Sequence, residues 1–464
     1  MTPGQEDTSE QPKVISLEIA RKTMEQAVEA PPVDDPGDPR DAEDGAPPPA
    51  DNPESGDPSV SGGRRRRSGP LRPGHPVPAG FPITPLGISD DVCFYLDASR
   101  QLRHLKARDH SRLGVEFLFG NRNELLVDLW PKLDKEGNVT GWRPDYCASF
   151  LMAKCAERGI WDPFEKVRGP GAWRGPDGEL LLHCGDRVWK GRPPADGDAG
   201  YIDGEWLEPD FIGRNVYPAA PPTPRPSNEP ATGDNNPAAA LFDLINTWSW
   251  KRGETDAMLL LGHIGAARIG GALKWRPLVW VTGGKGTGKS TLHDLFAGVF
   301  DEQLISLADT SEAGVRQTLG HRTLPVTVDE LEAEADNNKA QAVIRLARLA
   351  SSGGRLTRGG QDHKAVEFIA RSCFMFSSIL VPPLTGQDRS RMAILELGRL
   401  PENQAAPKLD PRVLREIGAA LTRRLVDGWS RFEGLLEAYR QALAAEGHPA
   451  RGCDQFGTLL ACAD

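Results

Sequence analysis

The sequence of 464 residues has no long apolar run and few cysteines. No stretch reaches about 18 consecutive apolar residues, and no basic segment followed by an apolar one opens the chain. We therefore expect neither a membrane-spanning helix nor ordinary secretion. The seven cysteines are scattered and form no CxxC pair. This pattern favours reduced thiols in a cytoplasmic protein over a disulfide scaffold or a zinc ribbon.

The acidic charge is concentrated near the N terminus. Of a formal net charge of -10, residues 1–60 contribute 15 acidic and 4 basic side chains, whereas residues 61–85 carry five arginines and no acid. The remainder of the chain is close to neutral. Without a global basic field, any contact with nucleic acid must come from a local stripe or from the inner surface of an oligomer.

The composition of the N-terminal half predicts a tail followed by a small domain. Residues 1–85 hold 17 of the 40 prolines and predict a disordered tail. Within it, residues 13–30 show weak helical spacing, and the four arginines 64–67 are either a solvated linker or a contact for phosphates. Residues 86–216 contain six of the eleven tryptophans and predict a smaller α+β accessory domain.

The C-terminal half predicts an α/β domain after a stiff linker. Residues 217–237 contain seven prolines and predict a semi-rigid connection. Residues 238–464 begin with helical patterns and continue with alternating strand and helix patterns, which favour a parallel sheet. The helical pattern around residues 456–460 continues to the end of the sequence, so we expect a domain that is truncated at its C terminus.

A glycine-rich loop carries the main chemical signal. The apolar strand pattern 278–282 precedes the string GGKGTGKS at 283–290, which fits GxxxxGK[ST], and a helical pattern follows from Thr291 to Phe300. In such a loop the backbone N–H groups and the helix N terminus point at phosphates. The residues predicted to bind ATP are Gly283, Gly284, Lys285, Gly286, Thr287, Gly288, Lys289, Ser290 and Thr291.

Two of these side chains have specific expected roles, and a pair of acids complements them. Lys289 is expected to reach the β- and γ-phosphates, and the Ser290 hydroxyl to ligate Mg²⁺. About forty residues later, Asp329 and Glu330 end an apolar strand pattern, which we expect to neighbour the first strand. Asp329 is expected to hold Mg²⁺ and Glu330 to deprotonate the attacking water. The alternative is a solvent-exposed acid pair at a strand end.

Three weaker signals follow the acid pair. A helical pattern spans 330–349, and the segment 355–368 then reads as a β-hairpin. Its tip carries three basic side chains that are candidates for DNA contact or for an ordinary surface turn: Arg358, His363 and Lys364. A buried strand pattern, 372–378, ends in Ser377 and Ser378, of which Ser378 is a candidate for positioning water. An alternative role for these serines is to cap the strand end.

Two arginines precede the last strand pattern, 392–397. Arg391, with Arg389 as the second choice, is a candidate to reach the γ-phosphate held by a neighbouring subunit. The alternative is surface salt bridging.

The order of these motifs resembles that of AAA+ ATPases of the superfamily 3 helicase type, in particular the primase-helicase-like ATP-binding replication proteins of phages and prophages. The resemblance covers residues 240–400, with ARLASSGG at 347–354 and QDRSRMAIL at 387–395 as supporting strings. It implies a hexameric ring, ATP bound between subunits, and a hairpin that grips single-stranded DNA. Such helicases commonly place asparagine where this chain has Ser377 and Ser378.

Three functions remain open at this point. The first is an ATP-driven DNA helicase or translocase of a phage or mobile element. The second is a non-helicase AAA+ ATPase that remodels or loads a protein partner, and the third is a binding protein with a spent nucleotide site. A GTPase is disfavoured because no NKxD string is present, and residues 86–216 show no paired acidic motif of a primase.

Overall fold

The computed structural model describes most of the chain from residue 70 onward. The described ranges are 70–191, 204–231, 236–308, 310–331, 338–359, 365–401 and 406–464, with the backbone alone for 356–359 and 365–367. The predicted tail therefore lies mostly outside the described residues, as do its helical pattern and its four arginines. No helix of the described part is long and apolar enough to cross a membrane.

The N-terminal unit combines a small antiparallel sheet with helices. Its sheet contains β1 (Thr84–Ser89), β2 (Val92–Leu96) and β3 (Leu102–Lys106) in sequential order. The remaining elements are α1 (Arg112–Phe119), α2 (Glu124–Leu129), the hairpin of β4 (Pro131–Leu133) and β5 (Val139–Trp142), α3 (Pro144–Arg158) and α4 (Pro163–Lys166). Helix α3 ends at the C-cap Gly159, and its Phe150 and Leu151 are fully buried.

This unit begins earlier than the predicted boundary at residue 86. Strand β1 starts at Thr84, and Phe81 packs edge-on against Phe119, Trp130 and Phe150. The Trp130 indole also donates to the Leu71 carbonyl at 3.0 Å. Because these aromatic contacts bury apolar surface, residues 70–85 belong to the folded unit and not to a tail.

A second antiparallel sheet connects the two halves of the chain. It contains β6 (Gly171–Arg174), β7 (Leu180–His183), β8 (Val188–Gly191) and β9 (Gly204–Leu207) in that order, followed by the short pair β10 (Phe211–Ile212) and β11 (Asn215–Val216). The string GPDG at 175–178 lies in the turn of the β6–β7 hairpin. Leu180, Leu182 and Trp189 share a buried core with Leu241 and Ile245 of the C-terminal half. The sheet of β6 to β9 therefore shares its core with the C-terminal half, whereas residues 83–155 have a core of their own.

The proline-rich segment after this sheet is held by backbone hydrogen bonds. Ala219 N–H donates to Arg100 O at 2.8 Å, and Thr223 N–H donates to Cys184 O at 3.0 Å. Further along, Ser227 N–H donates to Ala419 O at 3.0 Å. The described part of the predicted linker thus runs along both halves as a fixed strap.

The C-terminal half is built around a five-stranded parallel sheet. Its strands are β12 (Leu278–Gly283), β13 (Ile305–Ala308), β14 (Val326–Asp329), β17 (Phe374–Ser378) and β18 (Met392–Leu397), in the order β13-β14-β17-β12-β18. All four pairings are parallel, which confirms the α/β expectation. One expectation was wrong: β14 does not neighbour β12, because β17 lies between them.

Helices cover both faces of this sheet. They are α5 (Pro237–Ile245), α6 (Glu254–Arg268), α7 (Lys289–Phe300), α8 (Glu312–Leu319), α9 (Asn338–Ser352), α10 (Gly386–Arg389), α11 (Pro411–Asp427), α12 (Trp429–Ala445) and α13 (Ala450–Ala463). Side chains of β12 alternate between two cores: Val279 and Val281 face one, and Leu278 and Trp280 face the other. Burial on both faces explains why these strands are continuous apolar runs.

The predicted hairpin is confirmed in its backbone. Strands β15 (Arg355–Gly359) and β16 (Ala365–Ile369) pair antiparallel, with Arg355 opposite Ile369. His363 and Lys364 lie outside the described residues, and the side chain of Arg358 is not described. Their contact with DNA stays a prediction.

The close crossing of α6 and α13 gives a stability test. A methyl group added at Gly262 would lie 1.9 Å from the Leu459 carbonyl oxygen, whereas one added at Gly434, in α12, would meet nothing within 4 Å. Gly262→Ala should cost about 1–3 kcal/mol because the helices must separate. Gly434→Ala should instead stabilise the exposed helix by about 0.5–1 kcal/mol. Midpoints of thermal unfolding followed by circular dichroism check both, and equal midpoints for the two variants would contradict this packing.

Candidate functional site

The site lies at the carboxyl edge of the parallel sheet, where β12, β14 and β17 end. A cleft of about 1070 Å³ opens there between the glycine loop, Gly283–Ser290, and the acids that follow β14. Its lining includes Trp248, Lys285, Gly286, Thr287, Gly288, Lys289, Ser290, Thr291, Asp329, Glu330 and Ser378. The structure therefore brings the predicted loop and the predicted acids to one cavity.

The glycine loop has a backbone shape that suits close approach by a ligand. Gly286 and Gly288 have φ values of 79° and 92°, which L side chains rarely adopt. Lys289 Nζ donates to the carbonyls of Gly283 at 2.6 Å and Gly284 at 3.1 Å. Thr287 Oγ1 also donates to Gly284 O, at 2.9 Å. These bonds fold the lysine back over its own loop, so phosphates would compete with backbone carbonyls for its ammonium group.

Trp248 packs against the glycine loop. Its role was not identified from the sequence. Its indole donates to Gly288 O at 3.1 Å, and a methyl group at Gly288 would lie 2.8 Å from its Nε1 atom. Trp250 forms a bridge to Leu397, and Gly398 N–H donates to Ser249 O at 2.7 Å, so the segment 248–250 is fixed beside β18. The Trp-Ser-Trp string between two helices was the available signal.

The acids stand across the cleft on a strained backbone. Asp329 ends β14, and Glu330 follows with φ of 55°, an uncommon conformation for glutamate. Glu330 N–H donates to Asp329 Oδ1 at 3.0 Å, and Leu331 N–H donates to Ser377 O at 3.2 Å. Strain of this kind concentrates where function requires it. Here it leaves the Glu330 side chain exposed at the cleft.

A hydrogen-bonded chain joins the first helix of the site to Asp329. Ser377 Oγ donates to Asp329 Oδ1, and His293 Nε2 lies 2.7 Å from Ser377 Oγ and 3.5 Å from Asp329 Oδ1. Because the serine has one hydroxyl hydrogen, its oxygen accepts from His293 Nε2–H. Burial lowers the pKa of His293, although Asp329 and Asp294 oppose this, so the ring is neutral near pH 7. His293, one turn after Lys289, was not identified from the sequence; this spacing was its signal.

Ser378 has different hydrogen-bond partners from Ser377. Its hydroxyl accepts from the Trp280 indole at 2.8 Å and donates to Leu380 O at 2.8 Å, and its side chain is buried. Successive strand residues face opposite sides of the sheet, which explains the difference. A role of Ser378 in positioning water stays a prediction, but Ser377 is the serine bonded to the acid.

The arginines predicted to act on phosphate lie at the opposite edge. Met392 pairs with Leu278 and Leu397 with Gly283, so the start of β18 is about 17 Å along the strand from the glycine loop. Arg389 is exposed. Arg391 is half-buried, donates to Gln387 O at 3.1 Å, and lies 5.8 Å from the Trp275 ring. Neither arginine can reach the loop of its own chain.

The donor set at the cleft fits a cation that keeps most of its water. Among the described residues, no group of three or more histidine, cysteine, aspartate and glutamate side chains could hold a metal ion. Asp329 and Ser290 supply one carboxylate and one hydroxyl at the cleft. Mg²⁺ is commonly bound by one or two carboxylates together with waters and substrate phosphates. The site therefore suits Mg²⁺ carried by a phosphate ligand.

The two serines give a test of the strand geometry. Ser378→Ala removes the acceptor of the buried Trp280 indole and should cost about 1–3 kcal/mol of folding stability. Ser377→Ala should cost less, since the partly exposed Asp329 can accept from water, and His293 Nε2, 3.5 Å from Asp329 Oδ1, can donate to that carboxylate instead. Thermal unfolding with tryptophan fluorescence as the signal compares them. A larger loss for Ser377→Ala would contradict the assigned faces.

Comparisons with known proteins give limited likeness. No protein-family model and no curated protein matches the sequence. Among solved structures, an apo form of the NrS-1 C terminal region aligns at 14% identity and a TM-score of 0.38, covering 75% of this chain and 66% of that chain. The apo structure of NrS-1 residues 305–718 aligns at 12% identity and a TM-score of 0.38, over 74% of this chain and 66% of that chain. The chain thus spans just under two thirds of these neighbours.

Proposed function

We propose that this protein hydrolyses ATP with Mg²⁺ and uses the energy to translocate along or unwind DNA during replication of a phage or mobile element. One observation carries the proposal: the loop GGKGTGKS and the pair Asp329-Glu330 face one another across a single cleft. A loop of this composition before a twelve-residue helix is an anion-binding arrangement. The acids opposite the loop would supply a ligand for magnesium and a base for the attacking water.

Each residue at the cleft has a role that its geometry permits. Backbone N–H groups from Gly283 to Thr291 would hold the phosphates, and Lys289 would exchange its carbonyl partners for phosphate oxygens. Ser290 and Asp329 would hold magnesium, which when bound neutralises charge on the β- and γ-phosphates. Glu330 would accept a proton from the attacking water.

Ser377 and His293 would position the metal-binding acid. Ser377 Oγ donates to Asp329 Oδ1 and accepts from His293 Nε2–H, so the two residues hold the carboxylate in place. This arrangement resembles outer hydrogen bonds that orient metal ligands. We therefore propose Ser377, rather than Ser378, as the polar strand-end residue of the site.

The arginines would act between subunits. Because Arg389 and Arg391 lie at the edge away from their own glycine loop, they would stabilise phosphate charge only in a ring-shaped oligomer such as a hexamer. Arg389 is the better candidate to reach a phosphate of the neighbouring subunit, because its side chain is exposed. Arg391 is held by Gln387 and by the Trp275 ring, so it would help to shape that surface.

The DNA part of the proposal rests on the hairpin and on the motif resemblance. Strands β15 and β16 form a two-stranded projection directly after α9, at the position where the resemblance expects a DNA-gripping hairpin. Arg358, His363 and Lys364 would contact the phosphates of single-stranded DNA there. Stimulation of ATP turnover by a protein, and not by single-stranded DNA, would instead favour the remodelling or loading function.

Two variants separate nucleotide binding from turnover. Lys289→Ala should abolish ATP binding, whereas Glu330→Gln should bind ATP normally and lower turnover by about 100-fold or more. Calorimetric titration with a non-hydrolysable ATP analogue and phosphate release measure the two steps. Unchanged turnover in Glu330→Gln would remove Glu330 from the mechanism.

Mixed oligomers test whether the arginines act in trans. Lys289→Ala and the double variant Arg389→Ala/Arg391→Ala should each be inactive alone. Mixed in equal amounts, they should recover up to about a quarter of wild-type ATP turnover, because that share of interfaces combines an intact loop with intact arginines. Light scattering confirms that oligomers form. Full inactivity of the mixed oligomers would contradict an intersubunit site.

A further inference from the structure

Four arginines gather where the N-terminal half meets the amino edge of the parallel sheet. We call them the arginine cluster: Arg168, Arg214, Arg355 and Arg371. They come from three separate segments, namely the exit of α4, the β10–β11 turn, and the base and exit of the hairpin. Neither the sequence motifs nor the ATP site account for them.

Backbone pairing brings the first two arginines together. Val167 forms a parallel bridge to Val216, and Arg168 N–H donates to Val216 O at 2.8 Å. Arg214 stands in the turn just before this pairing and is exposed. The exit of α4 and the β10–β11 turn therefore lie side by side, and the charge of Arg214 helps to lower the pKa of Arg168.

Trp173 connects this pair to the hairpin. The guanidinium carbon of Arg168 lies 4.8 Å from the centre of the Trp173 ring, and that of Arg371 lies 5.7 Å from it. Arg371 follows β16 by two residues, and Arg355 stands at the paired start of β15. Arg355 donates to the carboxylate of Glu165 in α4. The hairpin base is thus tied to the N-terminal half through the cluster.

The cluster has more positive than negative charge. Glu165 pairs with Arg355, while Asp162 accepts from Phe164 N–H and caps α4. Burial lowers the pKa of Arg168 to about 10; Arg371 and Arg214 lower it further, while Tyr217 and Glu165 oppose this. Burial and then Arg355 lower the pKa of Arg371. Glu165 offsets the charge of Arg355 and Asp162 offsets one more, so the four arginines keep a net positive charge that favours the binding of an anion.

The surroundings limit what kind of anion suits the surface. A cleft of about 490 Å³ next to Arg168 is lined by Val167, Gly169 and Arg322, and also by Glu302, so it adds no net positive charge to the cluster. Trp173 is 5% exposed and cannot stack on a base. The available contacts are guanidinium groups from three separate segments of the chain, which suit the several phosphates of a nucleic-acid backbone.

We propose that the arginine cluster binds the phosphate backbone of single-stranded DNA and guides the strand to or from the hairpin. This inference rests on the proposed DNA-dependent function. The arginine cluster would be a second DNA-contact surface, separate from the hairpin tip, and it would contact phosphates and no base edges. Binding at this surface is therefore expected to be independent of sequence and sensitive to salt.

The test compares charge-removing variants in the full chain. Arg168→Gln/Arg371→Gln removes the pair at Trp173, and Arg214→Gln/Arg355→Gln removes the two exposed members without altering that packing. Arg108→Gln/Arg122→Gln, two other arginines of the N-terminal unit, is the matched control for the same change in charge. Fluorescence anisotropy with a labelled oligothymidine, without nucleotide and at several salt concentrations, measures affinity. Phosphate release without DNA measures ATP turnover separately.

Both cluster variants should weaken binding by about tenfold or more, and reduce the slope of log affinity against log salt by about 1.4, since each phosphate contact contributes about 0.7. The control should match wild type. Wild-type affinity and slope in the Arg214/Arg355 variant, or no DNA binding by wild type, would overturn the inference. Loss of binding in the cluster variants with no ATP turnover in wild type would support this surface while contradicting the proposed ATPase.

Discussion

The parallel register of five strands is the constraint on which the rest of the molecule depends. Thr282 pairs with Ser378 on one side of β12 and with Glu396 on the other, so the glycine loop, the serines and the end of β18 reach one edge together. Val328 pairs with Phe376, which brings Asp329 to the same edge. A shift of one residue in any strand would exchange its buried faces and move its terminal polar group away.

The same register separates two chemistries at opposite edges. The carboxyl edge carries the glycine loop and the acids, whereas the amino edge carries the arginines before β18 and the arginine cluster at the hairpin base. Helix α9 directly precedes the hairpin in the chain. Its Arg348 donates to the buried Asp388 of α10, the short helix before β18, at 3.1 Å. The hairpin, the arginines at the start of β18 and the sheet are thus linked through packed elements, which the proposed coupling of DNA contact to ATP turnover would require.

Sequence patterns predicted the elements that carry apolar runs and the glycine loop, because these depend on local composition. Strands β12, β14, β17 and β18 and the hairpin all follow from such patterns. Strand order does not, since it depends on which apolar faces pack together, and the acids were wrongly placed on the strand next to β12. Leu180 and Leu241 share one core, and this contact likewise depends on the tertiary packing of distant segments.

Within the site, the residues that sequence reasoning missed are those that act through other residues. Trp248 and His293 support the loop and Asp329 from positions with no motif of their own, and Ser377 differs from Ser378 only in the face it occupies. Their roles depend on distances between segments up to about a hundred residues apart along the chain.

The most direct test of the account is a crystal structure with Mg²⁺ and a non-hydrolysable ATP analogue. The account predicts phosphates within hydrogen-bond distance of the backbone N–H groups of Gly283–Ser290, Lys289 Nζ on phosphate oxygens, and magnesium between Ser290 and Asp329. A nucleotide bound elsewhere, or an Asp329 carboxylate turned away from the phosphates beyond reach of the metal, would contradict it.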